Sequence, residues 1–313
     1  MRLITIFCVL AGYIFADAHI FLYHRFSDGR YPSTNTPKSV LRAQFEFLKD
    51  NNYTVVPLKS IVEKLNQNET LPEKWVALTI DDGYKSFLNA LPIFEEFGYP
   101  FTMFVYVEAA EKKYPDYLSW EELKKLENHN GTLAFHSYSH GHQTRQSAEE
   151  LKADFEKGLE LYEKRLGSKS AFYSYPYGEF DDEVKNIAEE FGFSAILNQN
   201  IGTVSDTSSV YDLNRFALTG DANIKPLLKY KSLETEWIEP QSYPKNGNIT
   251  KVEARINANT TKVKLYITDL GWRDVTVEDG VISYDMNEKL KKPRVRVIIQ
   301  TGDKISTKIL VKD

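Results

Sequence analysis

Two carboxylates stand side by side at Asp81 and Asp82, followed at once by Gly83. Two imidazoles stand four residues apart in His136-Ser-Tyr-Ser-His140, and a third histidine closes the apolar run His19-Ile-Phe-Leu-Tyr-His24. Imidazole and carboxylate are the ligand types that hold zinc and similar divalent ions. Two histidines and one carboxylate leave a position for water, whereas a structural zinc site is closed by four protein ligands. On a helical turn, a spacing of four puts both imidazoles on one face. One of the adjacent acids can supply the third ligand and the other can remain a base, because neighbouring residues on a sharp loop point in different directions. With His24 as a separate protonatable group, these residues suffice for metal-assisted hydrolysis of an amide. Taken singly each has a plainer reading: a solvated turn, a pair of ordinary histidines, a buried core histidine. What joins them is that each follows a strand.

The elements that must position them alternate. Trp75 to Ile80 is an apolar run that reads as a buried strand, and Asp81-Asp82-Gly83 is the loop leaving it. Strands are expected at residues 19–24, 53–58, 100–107, 132–135, 171–175, 193–198 and 213–218. Helices are expected after Thr36-Pro37, where Val40, Leu41, Phe45 and Leu48 mark an apolar face, and over 87–97, 120–127, 147–166 and 181–191. Ser119 with Glu122 and Ser147 with Glu150 form capping boxes for two of these, and Gly167 closes the longest. Strand and helix in alternation imply parallel strands with helical crossovers, hence a barrel-like or doubly wound α/β domain over residues 19–232. In such folds ligands bind where strands end at their C-termini, which is where the acids and histidines lie.

The period changes near residue 234. Residues 233–247, with Pro240, Pro244 and Gly247, read as a linker. Six later runs alternate apolar with polar residues, at 252–256, 262–267, 275–277, 281–284, 294–299 and 308–311, with turns at Asp279-Gly280 and Gly302-Asp303. They indicate a small antiparallel β-sandwich, of immunoglobulin-like or fibronectin-like kind, over 248–313. Trp237 and Trp272 are candidate sugar platforms there, with packing as the alternative.

Residues 1–18 read as a signal peptide: Arg2, an apolar stretch too short to span a membrane comfortably, then Ala16-Asp17-Ala18, with cleavage expected after Ala18. The only cysteine, Cys8, lies within it, so the mature chain is expected to use no disulfide. The chain is expected to be exported, to a bacterial periplasm or cell envelope or to the extracellular space, without a transmembrane span after processing. With 39 basic against 44 acidic residues, a net charge of −5 and no basic run, nucleic acid is excluded as an expected partner.

Thr79-Ile-Asp81-Asp82-Gly83, His136-Ser-Tyr-Ser-His140 and Tyr175-Pro176-Tyr177-Gly178 resemble, in order and spacing, the first three motifs of the polysaccharide deacetylase family, also called NodB-homology or carbohydrate esterase 4. The resemblance implies a distorted (β/α) barrel, with Asp81 as general base and Asp82, His136 and His140 as ligands of a divalent metal, zinc foremost and cobalt, nickel, manganese or iron as others. The family's closing Leu-x-His motif is missing from the end of the chain and is matched at its start by Leu22-Tyr23-His24. That resembles the circularly permuted branch acting on exopolysaccharides such as poly-N-acetylglucosamine, and implies His24 as the acid. Ser174 stands where many members carry the arginine that orients the base, and Asp212-Leu-Asn-Arg215 resembles the fourth motif, so Arg215 is a candidate for that role, a surface arginine being the alternative. By the same resemblance the backbone NH of Tyr177 holds the oxyanion, and Leu22, Tyr138, Tyr175 and Pro176 are candidates for substrate contact. An acetyl esterase, a peptidoglycan deacetylase and a noncatalytic carbohydrate-binding protein are the competing functions. The β-sandwich is a candidate surface for an envelope protein partner.

Overall fold

The inward-facing columns of the parallel barrel strands carry the site. In the computed structural model, which describes residues 16–312, eight short strands form one parallel sheet. In chain order the strands are β1 His19–Tyr23, β2 Arg25–Phe26, β3 Asn35–Thr36, β4 Thr54–Val55, β5 Trp75–Ile80, β6 Phe101–Val105, β7 Gly131–Phe135, β8 Phe172–Ser174, β9 Ala195–Leu197 and β10 Phe216–Ala217. The helices are α1 Lys38–Asp50, α2 Leu58–Asn66, α3 Leu91–Phe97, α4 Val107–Glu111, α5 Trp120–Leu126, α6 Ala148–Leu166, α7 Asp182–Glu190 and α8 Ile224–Leu227. The sheet runs β10-β1-β5-β6-β7-β8-β9 with β4 beside β5, while β2 and β3 pair only with each other. A parallel bridge from Leu197 of β9 to Leu213, just before β10, draws the two edges of the curled sheet together as a distorted barrel.

Period-two alternation divides each strand between two cores. Ile20, Ala77, Phe104, Ala134, Phe172, Ala195 and Leu197 belong to an interior cluster that also takes in Ile61, Val62 and Leu65 of α2. Phe21, Leu78, Met103, Phe135, Tyr173 and Ile196 belong instead to the layer beneath the outer helices. Two residues on from an inward position is another inward position. The phase of Ala77, Ala134 and Phe172 therefore carries Thr79 and Asp81, His136 and Ser174 inward at the C-terminal rim. The ladder continues to that rim, with Asp81 N donating to Tyr23 O and His136 N to Val105 O.

Most expected elements are present with trimmed ends. The helix expected over 87–97 splits into a 3-10 turn, Lys85–Asn89, and α3, because Pro92 falls where a helix start tolerates it. Both capping boxes form, at Ser119 and Ser147. Pro37 is the cap of α1 rather than its first residue.

The second sheet is wholly β, in order β11-β18-β17-β14-β15-β16-β13-β12, from β11 Lys231–Ser232, β12 Thr235–Glu239, β13 Asn248–Ile256, β14 Lys262–Ile267, β15 Gly271–Glu278, β16 Val281–Lys289, β17 Arg294–Thr301 and β18 Lys304–Val311. The segment expected as a linker over 233–247 is thus partly structural. β12 pairs antiparallel with β13, and Trp237 packs on the sandwich core, so the change of period marks the end of the barrel more than a free tether. Of the expected signal segment, residues 1–15 lie outside the described residues. Ala18 is fully buried and bridges to Val204, and the Asp17 carboxylate accepts from Thr203 and Ser232. Cleavage after Ala18 would remove both of these anchors.

Candidate metal-dependent active site

Asp82 follows the end of β5 with a left-handed backbone, φ 72°, and Gly83 continues it at 76°. That conformation costs a non-glycine residue roughly 1–3 kcal/mol and clusters at functional sites. It turns Asp82 away from Asp81. Ser137 (φ 65°) and His140 (φ 52°) do the same after β7, so the His136 to His140 segment is a loop and not the helical turn expected from its spacing. The rings nevertheless meet, with centroids 4.9 Å apart. Helix α6 holds this loop. Both carboxylate oxygens of buried Asp154 accept backbone NH groups from it, Tyr138 N and Ser139 N, each at 2.9 Å. Gly158, one turn on, lets the helix approach, since a Cβ there would lie 2.6 Å from the Phe135 ring.

Asp82, His136 and His140 each bring one ligand atom within 4.8 Å of the others. Asp82 Oδ1 is 3.2 Å from His136 Nε2 and 2.9 Å from His140 Nε2. It is buried and receives no well-aligned hydrogen bond. A buried carboxylate oxygen left bare costs several kcal/mol unless something else satisfies it, and a cation does so. His136 Nδ1 lies 2.7 Å from the Ser174 carbonyl, to which it donates, leaving Nε2 with its lone pair towards Asp82. The donor set of one carboxylate and two imidazoles fits zinc and the neighbouring divalent transition metals.

Asp81 is fully buried and held differently. Arg215 donates to both its oxygens, NH1 to Oδ1 and NH2 to Oδ2, each at 2.8 Å. The guanidinium is itself fully buried; it also donates to the Asn198 carbonyl through Nε at 2.7 Å and to Ser174 Oγ at 2.6 Å. Burial would push the Asp81 carboxyl up, but the charge of Arg215 and its hydrogen bonds outweigh it and hold its pKa below the usual carboxylate range. Arg215 is therefore no surface residue. The small Ser174 leaves room for its fork, and Phe104 of the interior cluster lies beneath it, 5.6 Å from the guanidinium carbon.

A cavity of about 610 Å³ opens above these groups and is lined by His24, Asp82, His136, His140 and Tyr177. Burial pushes the His24 imidazole below its ordinary value, and Asp82 and Asp81 pull it back only in part. His24 Nδ1 is buried without a partner. Tyr177, at φ 59°, stacks on His142 with centroids 4.3 Å apart.

The expected substrate contacts fare less well. Tyr175 is fully buried in the outer layer, stacked on Phe180, because it is one residue past inward Ser174 and so faces out. Pro176 and Leu22 are also buried and do not line the cavity, and Tyr138 lies under Lys157, 3.8 Å from its ring. Tyrosines not singled out in the sequence take their place. Tyr84, Tyr106 and Tyr117 line one wall, with Tyr117 4.7 Å from Tyr84 and 5.5 Å from Tyr106 between centroids. Tyr84 directly follows the Asp-Asp-Gly turn, which was the signal available for it.

Comparison with known proteins bears on this geometry. Residues 68–196 match the polysaccharide deacetylase family model, a span that contains Asp81, Asp82, His136, His140 and Tyr177. The chain carries a polysaccharide deacetylase domain. His24 and Arg215 fall outside the matched residues, on either side of them. YxkH of Bacillus subtilis, named for its own likeness to polysaccharide deacetylases, is 25% identical over 201 residues, 64% of this chain and 71% of that protein. The poly-beta-1,6-N-acetyl-D-glucosamine N-deacetylase of Escherichia coli is 43% identical over 75 residues, 24% of this chain and 11% of that one. Among solved structures, the Streptococcus pyogenes deacetylase PplD in complex with acetate superposes with a TM-score of 0.61 at 20% identity, covering 66% of this chain and 93% of that one, which shows a shared fold.

Proposed function

We propose that this polysaccharide deacetylase is a divalent-metal hydrolase that removes N-acetyl groups from a polysaccharide containing N-acetylglucosamine, poly-N-acetylglucosamine being the favoured polymer. The observation that carries the reading is the division between the two acids: Asp81 locked by Arg215, and Asp82 with an unsatisfied oxygen beside two imidazoles. The local match to a poly-beta-1,6-N-acetyl-D-glucosamine N-deacetylase favours that polymer.

Asp82, His136 and His140 would hold the ion, zinc foremost, and its Lewis acidity would lower the pKa of water to about 7 and polarise an amide carbonyl. Asp81, kept ionised by Arg215, takes the proton of the attacking water. Arg215 fixes the plane of that carboxylate and does not itself exchange a proton, since a guanidinium stays charged. His24, at the end of β1 beside β5 and on the same rim, gives a proton to the departing amine. The NH of Tyr177, held by its left-handed turn, donates to the developing oxyanion. Tyr84, Tyr106 and Tyr117 offer ring faces to sugar units. The products are acetate and a glucosamine unit. We place the enzyme outside the cytoplasm, in the envelope or beyond, on its N-terminal segment; no helix among the described residues is long and apolar enough to cross a membrane.

The test is to incubate metal-loaded protein with N-acetylglucosamine oligomers of β-1,6 and β-1,4 linkage, with peptidoglycan fragments and with an O-acetylated glycan, measuring acetate and free amine together. Acetate with equal amine from the β-1,6 oligomer is the expected result. Acetate without amine would make the protein an esterase, and turnover confined to peptidoglycan fragments would change the polymer.

A further inference from the structure

The deacetylase site is not lined by the barrel alone. Arg294, the first residue of β17 in the β-sandwich, lines the same cavity as His24, Asp82 and Tyr177. Its place there is fixed by a dock between the two sheets. From β18, Thr307 Oγ1 donates to the Ile201 carbonyl at 2.8 Å, and Ile309 N donates to Asn200 Oδ1 at 3.1 Å. The loop after β9, residues 199–201, is thereby pinned against the sandwich. Gln199 of that loop accepts from Arg294 NH2 at 3.3 Å and lies against Gly178, where a Cβ would come within 2.4 Å of the Gln199 Cβ.

The guanidinium is only partly satisfied. Buried Glu179, whose other oxygen is 2.7 Å from His142 Nδ1, is 3.9 Å from Arg294 Nε. That Nε is buried and makes no hydrogen bond. Burial, with Arg296 two residues on along the strand, lowers the pKa of Arg294 to about 10, which leaves it cationic at neutral pH. A cation held in a groove with donors to spare is a binding group for oxygen acceptors. The tyrosine wall of Tyr84, Tyr106 and Tyr117 lines the same cavity.

We propose that Arg294 is a substrate-positioning residue contributed by the β-sandwich, donating hydrogen bonds to hydroxyl or acetamido oxygens of the sugar unit next to the one that loses its acetyl group. The proposal rests on the glycan reading of the site. It gives the accessory domain a function that its own sequence did not reveal: to complete the groove and to make activity depend on substrate length. His142 and Glu179 fit the same role from the barrel side, holding Tyr177 by stacking and Arg294 by charge.

The test compares wild type, Arg294→Ala and Arg294→Lys, all metal-loaded, on a β-1,6-linked N-acetylglucosamine pentamer and on a small chromogenic acetate ester that cannot span the groove. Losing hydrogen bonds to a charged donor is expected to raise KM for the pentamer about tenfold, with kcat little changed and ester hydrolysis unaltered. Arg294→Lys is expected to recover part of the loss, since it keeps the charge without the fork. Pentamer binding is measured in parallel in the Asp81→Asn background, a readout independent of turnover. A pentamer KM and affinity unchanged by Arg294→Ala overturn the proposal, as does an equal fall in pentamer turnover, ester turnover and metal content, which would show a purely structural residue. Wild-type protein that binds the pentamer, in an Arg294-dependent way, but never releases acetate would instead overturn the functional reading and leave Arg294 as a glycan contact.

Discussion

Asp81 extends the inward-facing column of β5 and has both carboxylate oxygens gripped by Arg215, whereas Asp82, the next residue, turns left-handed and leaves a buried oxygen bare between two imidazoles. The two side chains are alike in chemistry and both are buried; what separates them is backbone phase and partners. A carboxylate already saturated by a bidentate arginine is a poor ligand but a well-oriented base. One that lacks a donor is an incomplete site waiting for a cation. The comparison shows how a repeated residue can be assigned two jobs without any difference in side chain.

The comparison breaks first at Asp81. Asp81→Asn keeps the shape and much of the hydrogen bonding but cannot accept the proton, so deacetylation should fall by about 10²–10⁴-fold while the protein stays folded; acetate release against thermal melting checks both halves. Asp154→Asn reaches the other carboxylate indirectly. One of the two backbone NH groups of the His136 to His140 loop would then face an amide NH2, and metal affinity should weaken about 10–100-fold, read by chelator competition. Unchanged affinity would mean that α6 does not hold the ligands.

Arg215→Lys sharpens the Asp81 side through pH. Arg215 holds the Asp81 pKa down, so a lysine, with no fork, should let it rise. The base works only when ionised, and activity is therefore lost as pH falls through its pKa. The acidic limb of kcat/KM should move to higher pH in the variant; a limb that stays put would remove Arg215 from the base's environment. The smallest effect is expected at Gly158→Ala. The added methyl meets the Phe135 ring and should destabilise the protein by about 1–3 kcal/mol, measured by denaturant unfolding.

Much of this was legible in the residues. The alternation of apolar runs with capped helices specified a parallel α/β layer, and the acid and histidine motifs fell at strand ends because period-two phase carries them there. His24 and Arg215 were readable only as parts of a permuted pattern, since 191 positions of chain (215 minus 24) lie between them and only the curled sheet brings both to one rim. Tyr175 was misplaced by one step of phase: it reads like a groove tyrosine and faces the outer core. The tyrosine wall and Arg294 were not legible, because a residue's exposure into a cavity depends on which loops and which domain close over it. The reading of 233–247 as a linker failed for a related reason: proline and glycine mark turns, and here they follow a strand, β12, that pairs with β13.

The most direct test of the division between the two acids is an equilibrium metal titration of the Asp81→Asn and Asp82→Asn proteins beside wild type. Asp81→Asn should bind one divalent ion per chain with affinity close to wild type, and Asp82→Asn should bind it at least about a hundredfold more weakly. Loss of the ion from Asp81→Asn with its retention by Asp82→Asn would contradict the account.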